Sequence, residues 1–358
     1  MSETRIAVVR FEALGDLILL TPILRSLSEH FGVPIDVVVA EQYVAVFRNL
    51  SFVGETIPFA DTTTIFKHLE FLRRFHSRNY EIIIDTHSSF RGWRRTSVTA
   101  LSPGALKVGY RRKLNIGMDV LVESRIYDRH YIESYASLIE ALGVRLREPV
   151  PELGVSEEER VRARVILEKA NGGKALEDYV ILYPGARLQY KQWPARYFSR
   201  LGDALIREWS GKVVLLGGVG EEHLVRGVAA EMSCQPLVVP VGVDLRLMFA
   251  IIDHCALFIS TDTGPKHAAV ALRKPVLAIH GSSDPRVWGP YKREYEVIVD
   301  DGLPCRPCNN LRLCPRGTSE CLTRIQPIEV AERALRLLRE RRGTFTARPS
   351  PISDTTFV

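Results

Sequence analysis

The chain has 358 residues, 46% hydrophobic and 25% charged, with a mean hydropathy close to zero. That length favours two domains of roughly 150 residues or a little more. A net charge of +6 suits an anionic ligand or surface, but no aromatic-rich RNP-like segment or finger-type Cys/His spacing points to nucleic acid.

The start, MSETRIAVVRF, lacks the charged end, apolar core and cleavage site of a signal peptide. No apolar run approaches the ~20 residues needed to cross a bilayer. A cytoplasmic protein is expected, touching a membrane from outside if at all. Apolar strand-like runs then alternate with helical patterns: strands over 6–11, 35–40, 80–86 and 118–122, helices over 16–30, 63–78 and 131–142. Continuous apolar strands between helices imply a parallel sheet covered on both faces. Over 144–160 the period lapses among prolines and acids, which reads as a linker. The alternation then restarts, with strands over 180–183, 213–216, 237–239, 257–260, 276–280 and 295–299, and helices over 195–209, 222–232 and 245–255. This predicts an α/β protein of two doubly wound domains facing a cleft, over 1–155 and 156–340, and a mobile tail over 341–358.

Four stretches could carry chemistry. In Arg10-Phe11-Glu12-Ala13-Leu14-Gly15-Asp16 a strand gives way to a helix without a dinucleotide-type glycine fingerprint. Asp16 there is either a helix cap or a carboxylate able to take a proton from an incoming hydroxyl. In Tyr183-Pro184-Gly185 with Tyr190-Lys191-Gln192-Trp193-Pro194, Lys191 can reach a phosphate as a point charge, while Trp193-Pro194 can simply staple a helix start. Gly217-Gly218 at a strand end allows close approach of a ligand, and Glu221 or Glu222 beyond it could accept from ribose hydroxyls. In Thr261-Asp262-Thr263-Gly264-Pro265-Lys266-His267, a strand, a tight turn and a proline-led helix make an anion site, with Thr261, Thr263 and Lys266 as extra donors. An ordinary capped turn is the plainer reading of that stretch.

Taken in order, Arg10-x4-Gly15-Asp16-x4-Thr21-Pro22, Lys191-x-Trp193-Pro194, Gly217-Gly218, Asp262-Thr263-Gly264-x2-His267 and Gly281-x2-Asp284-Pro285-x2-Trp288 resemble the signatures of the bacterial lipopolysaccharide heptosyltransferases. The resemblance covers roughly residues 5–335. It implies a GT-B fold and inverting transfer of a heptose from an ADP-sugar to the inner core of a lipid-linked oligosaccharide acceptor, at the inner face of the cytoplasmic membrane, with no metal required for the chemistry. By position, Asp16 matches the base. The donor set becomes Lys191, Gly185, Gly218, Glu222, Asp262, Thr263, Gly264, Lys266 and His267. Pro265-Lys266 departs from the usual residues there, and the added charge could alter donor preference.

Arg10, Arg91, Arg94 and Arg111 are candidates for the anionic acceptor, with solvated surface arginines as the plain alternative. Cys305-x2-Cys308-x5-Cys314-x6-Cys321 reads either as structural zinc or as a thiol or disulfide cluster. Two rival functions stay open: a GT-B nucleotide-sugar epimerase or hydrolase, and a non-catalytic nucleotide-sugar-binding protein.

Overall fold

The computed structural model describes residues 4–345 apart from 62–63, 91, 126, 240–241, 292–294, 310–313 and 315. The first half comprises β1 (Ile6–Val9), α1 (Leu14–Phe31), β2 (Ile35–Ala40), β3 (Val53–Phe59), α2 (Ile65–His76), β4 (Ile82–Asp85), α3 (Trp93–Ala100), β5 (Leu106–Tyr110), β6 (Val120–Val122) and α4 (Tyr131–Glu140). The second half begins with α5 (Glu157–Ala170), β7 (Tyr179–Tyr183), α6 (Ala195–Glu208), β8 (Lys212–Leu215), α7 (Glu222–Glu231), β9 (Leu237–Val238) and α8 (Leu245–Asp253). It continues through β10 (Leu257–Thr261), α9 (Gly264–Ala271), β11 (Val276–His280), α10 (Pro285–Trp288), β12 (Tyr295–Val299), α11 (Glu320–Thr323) and α12 (Pro327–Phe345).

The strands form two six-stranded sheets, β3-β2-β1-β4-β5-β6 and β12-β11-β10-β7-β8-β9. Numbered from its own first strand, each sheet has the same order, and the paired strands are parallel. In such a sheet the crevice opens at the carboxyl ends of the two central strands, where the order reverses. Those strands are β1 and β4 in one sheet, β7 and β10 in the other. Both central pairs are almost wholly buried, apolar along their length up to the polar residues at the carboxyl ends of β4 and β10.

Several elements depart from the expected pattern. β3, with its exposed and polar positions, and β5, interrupted by Lys107 and Gly109, lack a continuous apolar run and are held by pairing with β2 and β4. α3, rich in Thr, Ser and Arg, has no strong apolar period, yet Thr96, Ser97, Val98 and Thr99 are buried. The expected linker ends inside a helix: Ser156 and Glu159 form a reciprocal capping box that starts α5, which packs on α8. At the far end α12 continues through Phe345, five residues into the expected tail, whose residues 346–358 lie outside the described ones.

Candidate active site

α1 and α9 start at the crevices of the two sheets and meet head to head. A Cβ on Gly15 would come within 2.8 Å of the His267 ring, and one on Gly264 within 3.1 Å of Leu14. Each glycine therefore permits the close approach of the two helix ends. Neither end is closed by a side chain, since Ala13 has no capping group and Thr263 makes no cap hydrogen bond. Two sets of first-turn N–H groups are thus directed toward one cleft of about 1480 Å³. Asp16, Lys191, Asp262, Thr263, Gly264, His267 and Gly218 all line it, although they come from both sheets.

Asp16 is the third residue of α1, so it does not cap the helix. Its Oδ2 accepts from Arg10 Nη2, and Oδ1 takes no hydrogen bond among the described residues. Arg10 is buried, with Nε donating to the Glu12 carbonyl (2.6 Å) and Nη1 to the Thr86 carbonyl (3.1 Å). Its guanidinium lies over the rings of Tyr131 and Tyr135. Arg10 lines the cleft, but the hydrogen bonds it makes run to Asp16 and to two backbone carbonyls, so it positions Asp16. The loop is held a second time by His87, whose Nε2 accepts from the Phe11 N–H (3.3 Å) while Nδ1 faces Asp85 at 2.8 Å.

On the opposite wall Asp262 is clasped by two lysines, Lys266 Nζ at 2.7 Å from Oδ1 and Lys191 Nζ at 2.9 Å from Oδ2. Burial pushes the Asp262 carboxyl up, but Lys266 and Lys191 outweigh it and hold it well below the usual carboxylate range. Lys266 is fully buried and also donates to the Trp288 carbonyl (2.6 Å), with His280 Nε2 at 3.4 Å. It is not the extra donor expected for a ligand, and its charge is balanced inside the fold. Thr261 is also buried below the cleft floor and does not line it. Lys191 remains partly exposed on a single 3-10 turn. Burial, reinforced by Lys266, holds the His267 ring well below its ordinary pKa, so the imidazole is neutral.

The carboxylate beyond Gly217-Gly218 is Glu221, whereas Glu222, the one expected, does not line the cleft. Glu221 Oε2 accepts from the Tyr183 hydroxyl (2.6 Å) and the Gly218 N–H (2.7 Å). A Cβ on Gly185 would come within 2.1 Å of this carboxylate, so Gly185 makes room for Glu221 and does not itself line the cleft. Two adjacent glutamates are indistinguishable until the turn fixes which one faces inward.

Arg94 and Arg111 do not line the cleft: Arg94 donates to the Asp61 carbonyl (2.8 Å) and Arg111 pairs with Glu123. Arg91 lies outside the described residues. Besides Arg10 and Arg246, whose guanidiniums are engaged by Asp16 and Glu159, the arginines on the cleft wall are Arg48, Arg125, Arg162 and Arg187. Arg187 shares the Gly185–Lys191 loop, a signal that was available; Arg48 and Arg125 had none.

The four cysteines line one small cavity beside Tyr190 and Ser282, and all are free thiols. Among the described residues no group of three or more His, Cys, Asp or Glu side chains is arranged to hold a metal ion. The segment nevertheless reaches the cleft, because the Asn309 N–H donates to the Ser282 carbonyl (3.0 Å) and Asn309 lines the wall.

Residues 68–314 match the family model described as glycosyltransferase family 9 (heptosyltransferase). The chain belongs to this family. Lipopolysaccharide heptosyltransferase 3 of Escherichia coli is 25% identical over 293 residues, 77% of this chain and 82% of the relative. A family 9 glycosyl transferase from Veillonella parvula superposes with a TM-score of 0.80 at 24% identity, covering 95% of this chain and 98% of that one. The Escherichia coli ADP-heptose lps heptosyltransferase II gives a TM-score of 0.76 at 20% identity, over 95% and 100% of the two chains. The fold of this family 9 glycosyltransferase is accordingly GT-B.

Proposed function

We propose that this glycosyltransferase moves a heptose, with inversion, from ADP-heptose to the inner core of a lipopolysaccharide precursor. The observation that carries the reading is the opposition of the Asp16 carboxylate, at the head of α1, to the uncapped start of α9 with Lys191 beside it. The acceptor oxygen bonds to the anomeric carbon as the bond from that carbon to the diphosphate oxygen breaks. The hydroxyl proton passes to Asp16, and the electron pair leaves with the ADP. Lys191 and the first-turn N–H groups of α9 receive the leaving charge, and the reading assigns no metal to the step. Neutral His267 and the anchored Glu221 face the sugar and ribose parts of the donor. The ADP-heptose donor is supported by the name of the Escherichia coli neighbour, and the lipopolysaccharide acceptor by the names of both Escherichia coli relatives.

Calorimetry against ADP-, GDP- and UDP-linked sugars, followed by turnover with a truncated lipopolysaccharide precursor, tests this. Selective ADP-sugar binding and ADP release that depends on the acceptor are expected. ADP release without acceptor would mean a hydrolase, and binding without release a non-catalytic protein.

A further inference from the structure

Large apolar side chains are exposed where chain leaves the carboxyl ends of the first sheet's strands. At the start of α2, after β3, Phe66 is 80% exposed and Leu69 54%. After β4, Phe90 is 47% and Trp93, which opens α3, 55% exposed; Tyr127, after β6, is 58% exposed. Contacts join the two helix starts: the Trp93 ring lies 5.3 Å from His68, and Arg94 reaches back to Asp61 while resting on Trp93. α2 thus has apolar groups on two sides. His68, Leu72 and Phe75 face the core, and Phe66 and Leu69 face outward. Isolated exposed apolar residues are ordinary, but a run of this size along one edge marks an interaction surface.

The edge is also basic and adjoins the cleft. Among the described residues, Lys67 and Lys113 are exposed and have no carboxylate partner, and Arg94 donates only to a carbonyl. The nearby acids Asp61, Glu70 and Glu123 are paired with Arg95, Arg74 and Arg111. Ser88, Ser89 and Tyr127 belong to the same strand ends and line the cleft on the Asp16 side. Aromatic and aliphatic groups interleaved with unpaired cations match an anionic lipid surface, whose headgroups take the cations while the apolar groups enter the acyl boundary.

We propose that this edge, centred on Phe66, Leu69 and Trp93 with Lys67, Arg94 and Lys113, docks the protein on an anionic bilayer with the Asp16 side of the cleft turned toward the membrane. The proposal rests on the reading that the acceptor is lipid-linked, since docking would then present the acceptor's sugar to the cleft without extracting the lipid.

The full chain should float with vesicles of phosphatidylethanolamine and phosphatidylglycerol, and release should increase with salt. The double variant Phe66→Glu/Leu69→Glu should bind these vesicles at least about tenfold less while keeping its melting temperature, because both side chains are exposed. Lys67→Glu/Lys113→Glu should lose binding to the same vesicles. Both variants should turn over a water-soluble acceptor fragment at the wild-type rate, a readout of the proposed transfer that is independent of docking. The proposal is overturned by failure of the wild type to float, by equal flotation of the apolar variant, or by equal binding to neutral phosphatidylcholine vesicles. A wild-type dimer that the apolar variant converts to monomer, with no vesicle binding, would assign the edge to self-association and overturn it too.

Discussion

Asp16 is held by a buried arginine and so is more than a free carboxylate at a helix start. Asparagine at this position keeps the shape and an oxygen for Arg10, but it cannot take a proton from the acceptor. Loss of a general base lowers a rate by about 10² to 10⁴-fold. Asp16→Asn should therefore bind ADP-sugar with near-normal affinity and transfer it at least about a hundred-fold more slowly, as single-turnover kinetics would show. It should also melt below wild type, because the buried Arg10 guanidinium loses its counter-charge. Transfer near the wild-type rate would remove Asp16 from the mechanism. Opposite it, the Asp262 carboxylate serves Lys191 more than a ligand: it fixes the ammonium at the cleft wall and balances buried Lys266.

At the scale of elements, the cysteine-bearing segment braces one wall of the donor side through Asn309 and Ser282. Its thiols are unequal. Backbone N–H groups of the turn around residues 316–319, led by that of Ser319, draw the Cys314 thiol below its ordinary value, whereas burial pushes Cys321 up to about 11. A limiting alkylating reagent at neutral pH should modify Cys314 well before Cys321, which mass spectrometry of the folded protein can read. Protection of all four that a chelator lifts would mean a bound metal instead.

For the whole molecule, the two sheets are joined by an aromatic seam as well as by the helix ends. Tyr131 stacks on Trp288 at 4.3 Å, the Tyr291 hydroxyl donates to Glu133 (2.6 Å), and His130 Nε2 donates to the Gly289 carbonyl (2.9 Å). His130 Nδ1 accepts from the Ile132 N–H, which fixes the neutral tautomer. Burial, with Lys266 adding to it, lowers the His130 pKa to about 4 despite the carbonyl partner. A folded pKa below the ordinary value near 6.5 means that the unfolded chain binds the proton first. Stability from this group is complete above about pH 6.5 and is lost as the pH falls toward about 4. His130→Asn, which still caps α4 but does not titrate, should reduce the pH slope of unfolding free energy in that window by up to about one proton. Denaturant titrations at pH 7, 5.5 and 4.5 would check it, and an unchanged slope would show that His130 does not contribute.

Sequence alone determined the strongly periodic elements and the signature stretches. β2, β11 and β12 have the expected limits, because an apolar run bounded by turn residues is a local property. The same holds for the start of α9, where Pro265 and the Gly264 turn act within a few residues. Tertiary structure decided whatever depends on a distant partner. β3 and β5 exist because neighbouring strands hold them, and Glu221 rather than Glu222 enters the cleft because Tyr183 and Gly185 receive it. Lys266 reads as a ligand cation in one dimension, but the fold turns it inward, and Arg10 on the cleft wall directs its donors to Asp16 and two carbonyls. A long cationic side chain that is buried takes its role from the nearest carboxylate, and that carboxylate is found only once the chain has folded.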